Sequence, residues 1–199
     1  MKKILCSPAV VFLFSINLLF HLIYTFYGYI LSEEGFLITG QKLAYSGLLP
    51  FVDYNAWNSL LNNYLIGFYQ LFIPPTIITQ RLFGTLLSSI VYFLVLYIIY
   101  VVKKTEGIFL GAFLLTFGSF TYVYYSTIPF SESAMTLFLL ISIACLSKAL
   151  FSPKKAQLLH VLALVSAVIS FPVRPQALGA VTIIWFYIAS IYWKNPAHL

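Results

Sequence analysis

Residues 8–36 read PAVVFLFSINLLFHLIYTFYGYILSEEGF. The first 24 of these contain no Asp, Glu, Lys or Arg, and two adjacent carboxylates, Glu33 and Glu34, follow after Ser32. A helix needs about 20 apolar residues to cross the hydrocarbon core of a bilayer. The stretch is therefore long enough to span a membrane, and it marks its far end with acid.

The rest of the chain repeats this pattern. Of 199 residues, 61% are hydrophobic and only 8% charged, with a mean hydropathy of +0.96. Soluble domains carry about a quarter charged residues, so the bilayer must serve as solvent for most of this chain. Further apolar runs cover Thr76–Val102 (behind Pro74-Pro75), Gly107–Tyr125, Phe130–Phe151, Ala156–Phe171 and Gln176–Trp193. The last follows the turn Pro172-Val173-Arg174-Pro175. The expectation is an all-α polytopic membrane protein with about six transmembrane helices, residues 1–199 forming a single transmembrane domain. Met1-Lys2-Lys3 ahead of an apolar run resembles a signal peptide. The run is too long for one and lacks a small-x-small cleavage site, so it reads as an uncleaved first span.

Charge placement gives an orientation. With the amino terminus inside, Lys2, Lys3, Lys103, Lys104, Lys148, Lys154, Lys155 and Lys194 fall on the cytoplasmic side, against Lys42, Arg81 and Arg174 outside. Such an excess on one side fixes topology. It predicts both termini in the cytoplasm of a bacterial inner (plasma) membrane. The net charge of +6 comes from these short clusters between apolar runs, with no basic aromatic face, so nucleic acid is not expected as a partner. Cys6 and Cys145 both fall toward the cytoplasm, where reduced thiols are the default.

One connection stands apart: residues 32–75 form a long outer loop, whereas the other connections are tight turns. Long connections are usually functional or disordered, and this one is too apolar for disorder. Trp57, Leu60, Leu61, Tyr64, Leu65, Phe68, Leu71 and Phe72 recur at helical spacing, with Asn58, Ser59, Asn62, Asn63 and Gln70 opposite. This predicts an amphipathic helix lying flat in the outer interface. A shorter helix over Phe36–Tyr45 should stop at Gly47, and LLPFVDYN should form a turn presenting Asp53.

Each candidate side chain has an ordinary role. Glu33 and Glu34 can be a solvated collar on the first span. If the interfacial helices cover them, two adjacent carboxylates need a cation, a basic partner or a shared proton. Asp53 can simply form its turn. Glu132, at the start of the fourth span, complements a helix dipole. Arg81 and Arg174 can snorkel to headgroups. What adds to these readings is their shared outer side. Arginine suits bidentate phosphate recognition, so carboxylates, arginines and an aromatic interfacial helix together suit an anionic lipid-linked substrate. His21 and His160 lack a carboxylate in their own spans and read as packing or hydrogen-bonding groups, with Asn17 one turn from His21. No Gly-rich phosphate loop, nucleophile elbow or HExxH motif occurs.

Glu33-Glu34-Gly35, the turn Gly47-Leu48-Leu49-Pro50-Phe51-Val52-Asp53, the pair Arg81-Leu82, and later Ser131-Glu132 and Val173-Arg174-Pro175 make a familiar series. The series resembles the polytopic glycosyltransferase C superfamily, in particular bacterial relatives of dolichyl-phosphate-mannose–protein mannosyltransferases. The resemblance implies inverting transfer of a sugar from a polyprenyl-phosphate carrier on the non-cytoplasmic face. It gives Glu33, Glu34 and Asp53 catalytic places, Glu33 standing where the family usually has Asp. It gives Arg174, Arg81 and Glu132 substrate-binding places. The implied partners are membrane lipid and the lipid-linked sugar donor, with a divalent metal as a further candidate. Family members run on through more spans than this chain has, so a truncated or split product, completed by a companion chain, is expected. The alternative is a non-catalytic polytopic protein, an assembly partner or a transporter component.

Overall fold

The computed structural model describes residues 7–27, 32–49, 52–54, 61–103, 107–118 and 131–194; for Glu33 and Glu132 it describes the backbone alone. The fold is all-helical, with no strand among the described residues. In chain order the helices are α1 (Pro8–Tyr27), α2 (Ser32–Tyr45), α3 (Asn62–Gly67), α4 (Ile77–Lys103), α5 (Ile108–Phe117), α6 (Ser131–Leu150), α7 (Ala156–Val173) and α8 (Leu178–Lys194). Among the described residues three 3-10 turns join them, at Phe68–Leu71, Pro153–Lys155 and Pro175–Ala177.

Among the described residues four helices are long and apolar enough to cross a membrane: Pro8–Tyr27, Ile77–Lys103, Pro153–Val173 and Pro175–Trp193. Ile108–Phe117 and Ala134–Leu150 are apolar but shorter. The expected third span is thus described only as far as Phe117 for its helix, and its continuation lies outside the described residues. Large apolar side chains face outward along the long helices, among them Phe12, Phe93, Val165 and Trp185. Outward apolar rings and aliphatics are what a helix in lipid presents, since nothing drives them into the protein.

The local sequence explains the helix ends. α4 begins behind Pro74-Pro75 with a reciprocal cap: the Thr79 backbone N–H donates to Thr76 Oγ1 at 3.1 Å, and the Thr76 N–H to Thr79 Oγ1 at 2.9 Å. This is the capping-box arrangement with a second threonine in place of the acid. α2 starts at Ser32, four residues before the expected Phe36, because its first turn takes up the acidic pair, which suits the positive end of a helix dipole. α2 stops where expected, with Gly47 at φ +88°, a conformation costly for any residue with a Cβ.

Among the described residues three small cores hold the bundle. Val10 and Leu13 of α1 meet Tyr92 and Leu96 of α4 and Ile108 and Ala112 of α5. Leu87 of α4, Ala134 of α6 and Val173 of α7 form a second core beneath Leu61 and Leu65. Ala163 and Ala167 of α7 meet Ile184 and Ile188 of α8 and Leu139 of α6 in a third. Two fully buried alanines four residues apart let the α7 backbone approach its neighbours closely, as membrane helix pairs favour. α4 bridges the halves, packing on α1 and α5 on one side and α6 on the other.

Contacts across the bundle fix which ends lie together. Thr25 near the end of α1 meets Thr85 near the start of α4 at 3.2 Å. The Leu61 N–H, just before α3, donates to the carbonyl of Pro172 in the last turn of α7 at 3.3 Å. One end of the bundle therefore carries α2, α3, the start of α4 and the end of α7. The other carries Lys103, Lys148, Lys154 and Lys155.

The loop departs from expectation in two ways. Its second helix is short, a single six-residue α3 and a 3-10 turn rather than one helix to Phe72; Trp57–Leu60 lie outside the described residues. Two of its amides also turn inward: Asn63 is buried and Gln70 bonds within the protein, while Leu61 and Leu65 pack on the second core and Phe68, Leu71 and Phe72 are exposed. Tyr54 and Gln41 supply the partners of these amides.

Candidate functional site at the capped end of the bundle

The site is organised around Arg81. Its Nε donates to Glu34 Oε1 and its Nη2 to Glu34 Oε2, both at 2.7 Å, a two-point ion pair in which both side chains are buried. Nη1 donates to the Tyr24 carbonyl at 3.0 Å and lies 3.5 Å from that of Thr25. One guanidinium thus serves the last-turn carbonyls of α1 and an acid in the first turn of α2. Both contacts match the helix dipoles, a cation at a carboxyl end and an anion at an amino end. A planar fork is required for this, and lysine could not supply it.

A polar seam runs from this pair into the bundle along one face of α1. Thr25, His21 and Asn17 are spaced by four and all buried. Thr25 Oγ1 donates to the His21 carbonyl at 2.9 Å, His21 Nδ1 lies 2.8 Å from the Asn17 carbonyl, and Asn17 Nδ2 donates to the Leu115 carbonyl at 3.3 Å. His21 therefore meets the backbone of Asn17, not its side chain. The seam is a run of buried hydrogen bonds along one face of α1.

The cap itself is knit by polar contacts between α2 and α3. Tyr45 donates its hydroxyl to the Tyr64 carbonyl at 2.6 Å and Tyr54 donates to the Gly40 carbonyl at 2.9 Å. Asn63 Nδ2 donates to the Tyr54 hydroxyl at 3.2 Å, and Gln70 Nε2 to Gln41 Oε1 at 2.9 Å. Gly67 lets α3 sit this close, since a Cβ there would come within 2.9 Å of Gln41 Cβ. Burial pushes the Tyr45 hydroxyl pKa up, with the neighbouring Tyr64 adding to the effect.

Two amides in this layer are unmet. Gln80, beside Arg81, is fully buried and has no hydrogen-bond partner on either amide atom among the described residues; Gln41 Nε2 is in the same position. An unsatisfied buried polar group costs about 1–3 kcal/mol.

The expected site residues are distributed as follows. Glu34 and Arg81, assigned separate catalytic and substrate-binding places, are bonded to each other. Glu33 occupies the same first turn of α2, and its side chain lies outside the described residues. Asp53 is exposed and accepts the Leu49 N–H on Oδ2 at 2.7 Å, closing its own turn. Arg174 follows α7 in extended backbone, two residues from the Pro172 carbonyl that meets Leu61, and so at the capped end. Glu132 lies in the first turn of α6. Among the described residues no group of three His, Cys, Asp or Glu side chains gathers as a metal site. Gln41, Tyr54 and Gln80 were not singled out from the sequence; an amide beside the lone arginine of an apolar run was the available signal for Gln80. No family model matches the chain, and no curated protein or solved structure matches it.

Proposed function

We propose that the chain acts as a membrane glycosyltransferase, or as part of one, moving a sugar from a polyprenyl-phosphate carrier to an acceptor on the non-cytoplasmic face. The observation that supports this most is the Glu34–Arg81 clamp. It holds the first turn of α2, and with it the backbone of Glu33, at the end of the bundle where α7 delivers Arg174. Six spans are inferred, the shorter α5 and α6 included, with the lysine end toward the cytoplasm and the capped end outside, following the charge bias.

In this reading Glu33 is the general base and Glu34 its positioning neighbour. The acceptor hydroxyl attacks the anomeric carbon as its proton passes to Glu33, the bond to the carrier phosphate breaks, and polyprenyl phosphate leaves with both electrons of that bond. Arg174 receives the phosphate and offsets the charge it gains on leaving. The unmet amide of Gln80 is suited to a sugar hydroxyl. Asp53 shapes the adjoining turn.

The test is transfer from a polyprenyl-phosphate sugar donor by the reconstituted protein with Glu33→Gln and Asp53→Asn variants. Undiminished transfer by both variants rules the assignment out. A second reading, a non-catalytic assembly partner, is favoured by the internal engagement of the Glu34 and Asp53 carboxylates. It stands if the wild-type chain, alone and with any companion chain, transfers no sugar.

A further inference from the structure

The opposite end of the bundle holds a pocket that the transferase reading does not use. α6 ends at Leu150, the turn Pro153–Lys155 reverses the chain into α7, and α8 returns to the same level at Tyr192. Between them lies a cavity of about 600 Å³, inside the range of roughly 300–1,000 Å³ found for ligand pockets. Lys154, Gln157, His160 and Tyr192 form its polar lining, and Leu150 and Ile191 part of its apolar lining. His160 Nδ1 lies 3.1 Å from the Tyr192 hydroxyl, which ties α7 to α8 and fixes that wall.

Charge and surface select the ligand. Residues 133–199 contain no Asp or Glu, so the three helices around the pocket contribute only positive formal charge here. Lys148 and Lys155 flank it, both exposed. The 3-10 turn leads straight into α7, the Ala156 N–H bonding the Pro153 carbonyl, so the positive end of that helix dipole lies beside Lys154 and adds to the same field. Leu150 and Phe151 at the rim are 62% and 60% exposed, an apolar flank that a small free anion would not need. Basic pockets between membrane helices on the cytoplasmic side suit anionic lipid headgroups.

We propose that this cleft is a binding site for an anionic phospholipid, the phosphate at Lys154, an acyl chain along Leu150 and Ile191. The proposal is independent of the transferase reading and needs only a bilayer around the bundle.

Delipidated full-length protein, titrated with phosphatidylglycerol or phosphatidylcholine and read by native mass spectrometry, tests it. Phosphatidylglycerol should be retained in preference to phosphatidylcholine. Lys154→Ala should weaken its retention about fivefold, the scale of one lysine near an anionic lipid. Gln157→Glu, which puts an acid into the acid-free wall, should weaken it at least as much. Lys103→Ala, at the same end but off the pocket, should leave it unchanged. Both pocket residues are exposed, and circular dichroism checks that the variants keep their helices. Equal retention of the two lipids, equal losses in the Lys154 and Lys103 variants, or displacement of phosphatidylglycerol by millimolar inorganic phosphate would each overturn the assignment.

Discussion

Glu34 and Arg81, 47 residues apart in sequence, meet in a two-point ion pair with both N–O distances at 2.7 Å. Because the guanidinium also bonds the Tyr24 carbonyl, the pair joins the first span, the cap and the second span. Removing one partner leaves a buried charge uncompensated, which costs about 3–5 kcal/mol. Glu34→Gln and Arg81→Met should each lower the thermal unfolding midpoint in detergent well beyond what a surface substitution does. The double variant Glu34→Leu/Arg81→Met should recover much of the loss. A single variant that melts with the wild type would show that the pair contributes nothing.

Glu33 and Asp53 separate chemistry from structure. Asn at position 53 still offers an oxygen to the Leu49 N–H, so Asp53→Asn should leave stability within about 0.5 kcal/mol of wild type. Glu33→Gln should abolish most sugar transfer, because the amide cannot take the acceptor proton. General-base removal costs on the order of a hundredfold or more. Parallel transfer assays and melts distinguish these effects.

Gln80 gives opposite signs for two readouts. If its buried amide is unmet in the resting protein, Gln80→Leu removes a penalty and should leave stability unchanged or raise it by about 1–3 kcal/mol. The same change should reduce transfer by raising KM, since a sugar hydroxyl loses its partner. A fall in stability would show that the amide is already bonded.

Gly67 tests the seating of the cap. A methyl group there meets Gln41 Cβ at 2.9 Å. Gly67→Ala should therefore cost about 1–3 kcal/mol, the usual scale for overpacking. It should also speed amide hydrogen exchange in α2 and α3 more than in α4. Uniform exchange rates would mean that the contact relaxes without cost.

Tyr45 predicts alkaline sensitivity of the same cap. Its hydroxyl must stay protonated to donate to the Tyr64 carbonyl, and burial raises its pKa above the ordinary value. Its contribution is complete below about pH 10, where the unfolded tyrosine titrates. It is lost as pH rises through the higher folded value. Hydrogen exchange in α2 should accelerate above that point in the wild type, and Tyr45→Phe should show faster exchange already at neutral pH, without the added alkaline step.

Membrane class and most helix boundaries were legible because lipid imposes long apolar runs, which are local features of sequence. Gly47 as the stop of α2 was legible for a similar reason, since one residue type answers one backbone demand. The Glu34–Arg81 pair was not. Two charges 47 residues apart carry no periodic signal, and each had an ordinary surface role when read alone. The inward turn of Asn63 and Gln70 was not legible, because an amphipathic pattern shows that two faces differ but not which partner each meets. The polar partners of Gln41 and Tyr54 on α2 and beside α3 decided that, and those are tertiary.

Arg81 also imposes an order on assembly. Glu34 leaves the ribosome well before the guanidinium that will neutralise it, and an unpaired carboxylate has no reason to leave water. The acidic turn must wait in the aqueous phase until the second hydrophobic segment has been inserted. Seating of the cap is thus a late event in biogenesis, gated by a helix that is not part of it.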